Sequence, residues 1–235
     1  MGPLPLDPFR NRLLAALPPS DFILIARYLA TSSMPVGRVL NEADDTAAEV
    51  YFPIKGMLSL LAVLRDGKAV ETAVVGREGV VNAMAGLGLH RSFVRIVVQM
   101  PSEVAVISAS HFSDAANQSP NIRNMCINYN EILLTQARVN AACNATHTVE
   151  ERFCRWLLQS SDSAESDTVS LTHELVAEML GVRRTSITQV AQKIQDAGAI
   201  EYSRGVIKIL DRPLLLNLSC ECYQTITEKA ADLIA

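Results

Sequence analysis

The chain has no run of 18 or more apolar residues free of charge, so no membrane-spanning helix is expected. Its opening, Met-Gly-Pro-Leu-Pro-Leu-Asp-Pro, lacks a basic region followed by an apolar core. A secretory signal is therefore not expected, and a cytoplasmic location is. No cysteine precedes Cys126, and the five present (Cys126, Cys143, Cys154, Cys220 and Cys222) are odd in number and widely spaced. That pattern does not suggest a disulfide framework and favours reduced thiols. Metal-ligand spacing, a phosphate-cradling glycine loop and a nucleophile elbow are all missing, as are internal repeats and low-complexity tracts. With no catalytic constellation and no metal site in view, an enzyme is not expected.

Apolar residues make up 49% of the 235, enough for one large domain or two smaller ones with a sizeable core. The most informative stretch is 173–192, His-Glu-Leu-Val-Ala-Glu-Met-Leu-Gly-Val-Arg-Arg-Thr-Ser-Ile-Thr-Gln-Val-Ala-Gln. Ala177 is small where two helices must cross closely. Gly181 follows four residues later, at a turn suited to positive φ. Val176, Leu180, Ile187 and Val190 supply an apolar seam. Arg183, Arg184, Thr185, Thr188, Gln189 and Gln192 remain on the other side, a face suited to base edges and phosphates. The pattern predicts a helix-turn-helix for a DNA major groove.

Overall charge runs against that reading. The formal net value is -4, and all of it falls in residues 150–235, which hold 9 basic and 13 acidic side chains. Locally the balance reverses. Between Val182 and Lys208 stand Arg183, Arg184, Lys193, Arg204 and Lys208 against Asp196 and Glu201. Screening limits the reach of a charge to about 8 Å in physiological salt, so the local balance governs contact. Binding should be modest and salt-sensitive.

Along the chain, residues 8–30 read as short helices, with Pro18-Pro19-Ser20-Asp21 as a start signal. From 34 to 107 short apolar or alternating runs are separated by turn residues. Val50-Tyr51-Phe52 ends at Pro53, and the runs 57–64 and 69–75 are joined by Arg65-Asp66-Gly67-Lys68, a hairpin signal. Two further strands, 93–99 and 103–108, break at Pro101. Many short strands indicate a small barrel or roll. Ser119-Pro120 starts a helix that meets no Gly or Pro to about residue 147, roughly 40 Å if continuous. Met125, Tyr129, Ile132, Leu133, Gln136, Val139, Asn140 and Cys143 form an a/d-type stripe on it. That stripe suits packing on the chain's own barrel or a dimer seam. Residues 148–159 are a further helix, and 160–167 a polar loop. After the helix-turn-helix, strands 200–202 and 206–210 joined at Ser203-Arg204-Gly205 have the layout of a wing. Residues 214–234 read as a helical tail.

A barrel of short strands, a long helix and a winged helix-turn-helix, in that order, resemble the CRP/FNR family of bacterial transcription regulators. The motifs carrying the likeness are Arg152, Trp156-Leu157-Leu158, Leu171-Thr172, Leu180-Gly181-Val182 and Arg204-Gly205. In the barrel they are Phe52-Pro53, Gly56, Asp66-Gly67 and Val75-Gly76. The resemblance implies an α+β fold: an N-terminal double-stranded β-helix (a jelly-roll-like barrel), a long dimerisation helix and a C-terminal winged helix-turn-helix. The expected domains are a sensor barrel at 1–118, a central helix at 119–147 and a DNA-binding domain at 148–235. The implied partners are double-stranded DNA with a two-fold site, a second copy of the chain and RNA polymerase.

Two departures limit what carries over. Many members begin the recognition helix with Arg-Glu-x-x-x-Arg; here the stretch is Arg184-Thr185-Ser186-Ile187-Thr188-Gln189, so the usual operator does not transfer. Arg184 still suits guanine and Gln189 adenine. On this reading Arg184, Thr185, Thr188 and Gln189 read bases, while Thr172, Arg183, Ser186 and Arg204 hold backbone. The ribose- and phosphate-binding cassette of cyclic-nucleotide members has only a loose counterpart in Gly76, Glu78, Arg91 and Ser92, with Arg77 inserted before Glu78. A cyclic nucleotide is thus disfavoured and the effector stays unassigned. The cysteine cluster of the oxygen-sensing branch is absent, so no iron–sulfur centre is expected. His90 and His111 sit in no ligand context. Cys220-Glu221-Cys222, read as one helix, points its thiols to different sides, which favours packing over a redox pair. The acidic C-terminal total leaves one rival reading: a small-molecule sensor acting through protein contacts, with a winged helix that no longer binds DNA.

Overall fold

The computed structural model describes residues 7–234, with side chains to 231; the first six residues, whose lack of a signal was noted above, lie outside that range. The chain divides into two units. Unit 1 comprises Met1–Leu60, Val74–Leu134 and Asp232–Ala235; unit 2 comprises Leu61–Ala73 and Thr135–Ala231.

Unit 1 begins with helices α1 (Arg12–Ala16) and α2 (Pro19–Ala26). Along the chain the strands β1 (Ala30–Met34), β2 (Val39–Asn41), β3 (Glu49–Lys55), β4 (Leu58–Val63), β5 (Ala69–Val75), β6 (Arg95–Val98) and β7 (Ser102–Ser108) follow, with the end of β4 and most of β5 counted in unit 2. They form two sheets, ordered β1-β7-β3 and β2-β6-β4-β5. This is the jelly-roll-like barrel that the short alternating runs predict. Strand β3 is buried from Val50 to Ile54, and Phe52 meets Phe112 of helix α3 (Ala109–Gln118) edge to face at 5.8 Å. The strand does not stop at Pro53, as the sequence suggests. The register shifts between Pro53 and Lys55, and such an irregularity accommodates a residue that cannot donate to the ladder.

Asn11 and Gly79 fix the helices to this barrel. Asn11 is fully buried; its Oδ1 accepts from the amides of Leu13 and Leu14, and its Nδ2 donates to the carbonyls of Pro53 (2.9 Å) and Gly79 (2.8 Å). Every polar capacity of that side chain is used, so it caps α1 and ties it to strand β3 and to the turn at Gly79 at once. Gly79 in turn lies under Tyr129: a Cβ there would stand 1.8 Å from the Tyr129 hydroxyl.

Tyr129 belongs to helix α4 (Pro120–Thr146). The helix starts as predicted, with Ser119 Oγ accepting from the Ile122 amide at 3.1 Å and Pro120 at the first helical position. Of the a/d-type stripe, Tyr129, Ile132, Gln136, Asn140 and Cys143 are buried within this one chain. The large apolar residues of α4 left exposed are Ile127 and Leu134, seven apart.

Unit 2 is built on helix α5 (Val149–Ala164), started by a reciprocal capping box between Thr148 and Glu151. Around it lie β8 (Thr168–Ser170), α6 (His173–Leu180), α7 (Arg184–Asp196), β9 (Ile200–Ser203), β10 (Val206–Ile209), α8 (Arg212–Leu218) and α9 (Cys222–Ile234). Three sequence-based expectations change here. The polar segment 160–167 is helical to Ala164, because Ser160, Ser161 and Ser163 are buried and Ser160 Oγ donates to the Trp156 carbonyl at 2.9 Å. The wing has a third strand, β8, paired with β10. The single C-terminal helix is two helices, broken at Ser219, whose backbone is extended. Trp156 is buried and donates through Nε1 to the buried Glu71 carboxylate at 2.8 Å. Among the described residues no helix is long and apolar enough to cross a membrane.

Gly79→Ala is expected to destabilise the chain by about 1–3 kcal/mol through overpacking against Tyr129. Tyr129→Phe removes a buried hydroxyl that has no hydrogen-bond partner among the described residues, and is expected to be neutral or stabilising. The double variant should be less unstable than the two single effects summed, because the nearest of the clashing atoms is gone, while the ring carbons at 2.2 and 2.8 Å keep part of the cost. Chemical denaturation of the four proteins measures this; strict additivity would contradict it.

Candidate nucleic-acid interface

Helices α6 and α7 meet at Gly181. Its φ of +64° is left-handed, and its amide together with that of Val182 bonds back to carbonyls of α6, closing the helix end. A side chain here would also stand 3.0 Å from Val70. The Arg152 guanidinium of α5, buried, donates to the Leu180 carbonyl at the same helix end. The seam of Val176, Leu180 and Ile187 is buried, with Val190 half-buried. The predicted spacing thus produces the predicted turn.

The opposite face is open. Arg183, Arg184, Thr185, Thr188 and Gln189 are exposed, as is Thr172, and Ser186 is half-buried. Arg183 occupies the N-cap position of α7, and its side chain does not cap that helix. Thr172 caps α6, its Oγ1 accepting from the Leu175 amide at 3.2 Å. Arg204 projects from the wing. It and Gly205 are the two residues between paired Ser203 and Val206, with φ of +51° and +79°. That is a two-residue hairpin turn whose first position ordinarily favours Asn, Asp or Gly. An arginine held there tolerates about 1 kcal/mol or more of backbone strain. Strain kept at an exposed cation is the kind of outlier that points to function.

Ion pairs sort the local charges. Lys193 pairs with Glu150 of α5 at 2.5 Å, and Arg212 with Asp162. Among the described residues Arg183, Arg184 and Arg204 have no carboxylate partner. The open face is therefore positive although the unit is acidic.

Sequence reasoning overlooked His173. Its ring stacks on Tyr202 of β9 (centroids 4.3 Å apart), and its Nδ1 lies 3.0 Å from Thr188 Oγ1. Thr188 also donates to the Arg184 carbonyl at 3.2 Å. One side chain thus joins the start of α6, the exposed face of α7 and the wing. The contact spans 15 residues and carries no periodic signature. Gln192, read as part of the open face, donates to Asp196 at 2.8 Å.

The residues expected to hold a ligand in the barrel serve their own turns. Glu78 Oε1 accepts from the Gly76 amide at 2.8 Å, and burial pushes its carboxyl pKa up. Arg91 pairs with Asp44 at 2.9 Å on the surface, and Ser92 Oγ donates to the Val94 carbonyl at 2.8 Å. A cleft of about 330 Å³ opens beside Tyr129, lined by Leu13, Leu17, Met125, Asn128 and Ile132; none of the four expected residues lines it.

Comparison with known proteins agrees with this architecture. The family model of the Crp-like helix-turn-helix domain matches residues 151–218, and that of the cyclic nucleotide-binding domain matches residues 32–119. The Global nitrogen regulator of Synechococcus elongatus is 20% identical over 209 residues, covering 82% of this chain and 94% of that protein. A solved CRP/FNR-family transcriptional regulator from Eubacterium rectale shares the fold at a TM-score of 0.70 and 19% identity, over 89% of this chain and 98% of that one. FixK2 from Bradyrhizobium japonicum does so at 0.69 and 17%, over 82% and 98%. The chain thus joins a cyclic nucleotide-binding domain to a Crp-like helix-turn-helix domain, in that order, and has the fold of CRP/FNR-family transcription regulators.

Proposed function

We propose that the protein acts as a dimeric, sequence-specific DNA-binding regulator, with α7 entering the major groove and the wing lying along the backbone. The observation that carries this reading is the set of three exposed guanidiniums, Arg183, Arg184 and Arg204, with no carboxylate partner among the described residues. Arg184, Thr185, Thr188 and Gln189 read base edges, Arg184 toward guanine and Gln189 toward adenine. Thr172, Arg183, Ser186 and Arg204 hold phosphates. The exposed pair Ile127 and Leu134, at heptad spacing on α4, supports association with a second copy along that helix. Two linked half-sites then supply the affinity that few contacts per half-site cannot. The named relatives are regulators, and no residue is given a catalytic role.

Base contacts and phosphate contacts fail differently. Arg184→Ala should weaken binding to the DNA upstream of the protein's own gene by about 1–3 kcal/mol and relax specificity at one base pair. Arg204→Asn should weaken binding to all sequences alike and lower the salt slope by about one. It should also stabilise the fold by roughly 1 kcal/mol, because Asn tolerates the left-handed turn. Fluorescence anisotropy across a salt series measures the first two effects and thermal melting the third. Full affinity in Arg184→Ala would remove that residue from the readout.

His173 makes the reading surface sensitive to acid. Burial, and then the neighbouring Arg184 charge, hold its pKa below the ordinary histidine value. The unfolded chain keeps that value, about 6.5. Below it the unfolded state takes up a proton that the folded ring refuses, so stability falls with pH until the folded ring is protonated too. Between about pH 7.5 and 5.5 the melting temperature should drop further in the wild type than in His173→Gln. Equal drops by circular dichroism would contradict this.

A further inference from the structure

Three of the five cysteines gather with one histidine in unit 2. Cys143 lies on the last turns of α4, and His147 follows it by four residues, on the same face. Cys220 stands in the link between α8 and α9, and Cys222 opens α9. The break at Ser219 separates the two thiols onto different elements, so both turn toward α4, contrary to the single-helix reading. The three sulfurs and one imidazole nitrogen lie within 4.8 Å of one another. Cys143 Sγ is 3.6 Å from Cys220 Sγ, and Cys222 Sγ is 3.6 Å from His147 Nδ1. All three cysteines are buried, with Val139 packed against them.

We infer that Cys143, His147, Cys220 and Cys222 form a four-coordinate site for a thiophilic divalent ion, and that Zn²⁺ is the ion that fits. A tetrahedral zinc with bonds of about 2.3 Å to sulfur sets neighbouring sulfurs about 3.8 Å apart, close to the spacing observed. Four protein ligands leave no open position, which is the arrangement of a structural site. Ligands this close surround one ion, whereas an iron–sulfur cluster spreads its cysteines over several irons.

Two further observations fit a bound ion. His147 directs Nδ1 at Cys222 while its other nitrogen, Nε2, lies 3.2 Å from the Glu221 carboxylate. A carboxylate behind the imidazole is the usual support of a metal-binding histidine, fixing its tautomer and orientation. Arg152 and Arg155 are 7% and 3% exposed, and among the described residues neither has a carboxylate partner. Both interact electrostatically with the Cys143 sulfur. Three thiolates, a neutral imidazole and Zn²⁺ carry one net negative charge, which supplies these buried guanidiniums with the anion they otherwise lack. The ion pins the end of α4 to the start of α9. It thereby closes a loop of 77 residues between Cys143 and Cys220 that contains the whole helix-turn-helix and wing.

Zinc added to the reduced, metal-stripped full-length chain should bind at one ion per chain, survive gel filtration and raise the melting temperature. Cobalt(II) in its place should give a sulfur-to-metal charge-transfer band and the d–d bands of a tetrahedral site. Cys222→Ser and His147→Ala, confirmed as folded by circular dichroism, should each weaken zinc binding about tenfold or more, and Cys126→Ser, outside the cluster, should not. The inference is overturned if the reduced wild type retains no zinc and shows no cobalt bands. Zinc binding unchanged in folded Cys222→Ser and His147→Ala would also overturn it. So would a Cys143–Cys220 disulfide that forms in the presence of zinc.

Discussion

Arg152 is buried in α5 and donates its guanidinium hydrogen bond to the Leu180 carbonyl, at the negative end of α6. One residue later the backbone turns left-handed at Gly181, and three residues later α7 begins. The angle at which α7 leaves is therefore set by a charge that cannot move without leaving an orphan carbonyl and an uncompensated cation. The seam of Val176, Leu180 and Ile187 fills the space beneath the turn, and the His173–Thr188 bond holds its outer side. The exposed face of α7 is placed by these contacts and contributes little to stability itself. That division is what a recognition surface needs, because its residues are free to be chosen for a ligand.

How much of this was readable depends on the range of the interaction. The helix-turn-helix is local: the small residue, the glycine and the apolar spacing lie within 15 residues of chain, and each has a stereochemical reason. The wing turn is equally local, since Arg204-Gly205 is short enough to force positive φ at both positions. The end of α5 was misread because serines signal loops, yet here Ser160 satisfies its hydroxyl on the helix's own carbonyl. Strand β8 is three residues long, too short to show alternation. The stripe on α4 had the right period but no indication of which neighbour covers it. Burial inside one chain answers that for Tyr129 and Asn140, and leaves Ile127 and Leu134 as the apolar face still open.

Long-range convergence was not readable at all. The four residues of the cysteine–histidine cluster come from two segments 77 positions apart at Cys143 and Cys220, and no spacing rule connects them. The break at Ser219 carries neither proline nor glycine, so the sequence runs on as though one helix continued. The charge paradox resolves in the same way. The acidic excess of residues 150–235 is real, but Glu150 and Asp162 are matched to Lys193 and Arg212. On the α7 and wing surface, among the described residues, four cations without a carboxylate partner (Arg183, Arg184, Arg204 and Lys208) stand against two carboxylates without a cation (Asp196 and Glu201). The local balance is therefore positive, and short screening lengths make that surface, and not the total, the quantity a DNA backbone meets.

The central claim, that α7 and the wing of two copies read DNA, is tested most directly by selecting bound fragments from random double-stranded DNA with the full-length protein at low salt. The account predicts enrichment of a two-fold symmetric consensus whose half-sites lie about one helical turn, roughly 34 Å, apart. Recovery of no enriched sequence under those conditions would contradict it and would favour a sensor that acts through protein contacts alone.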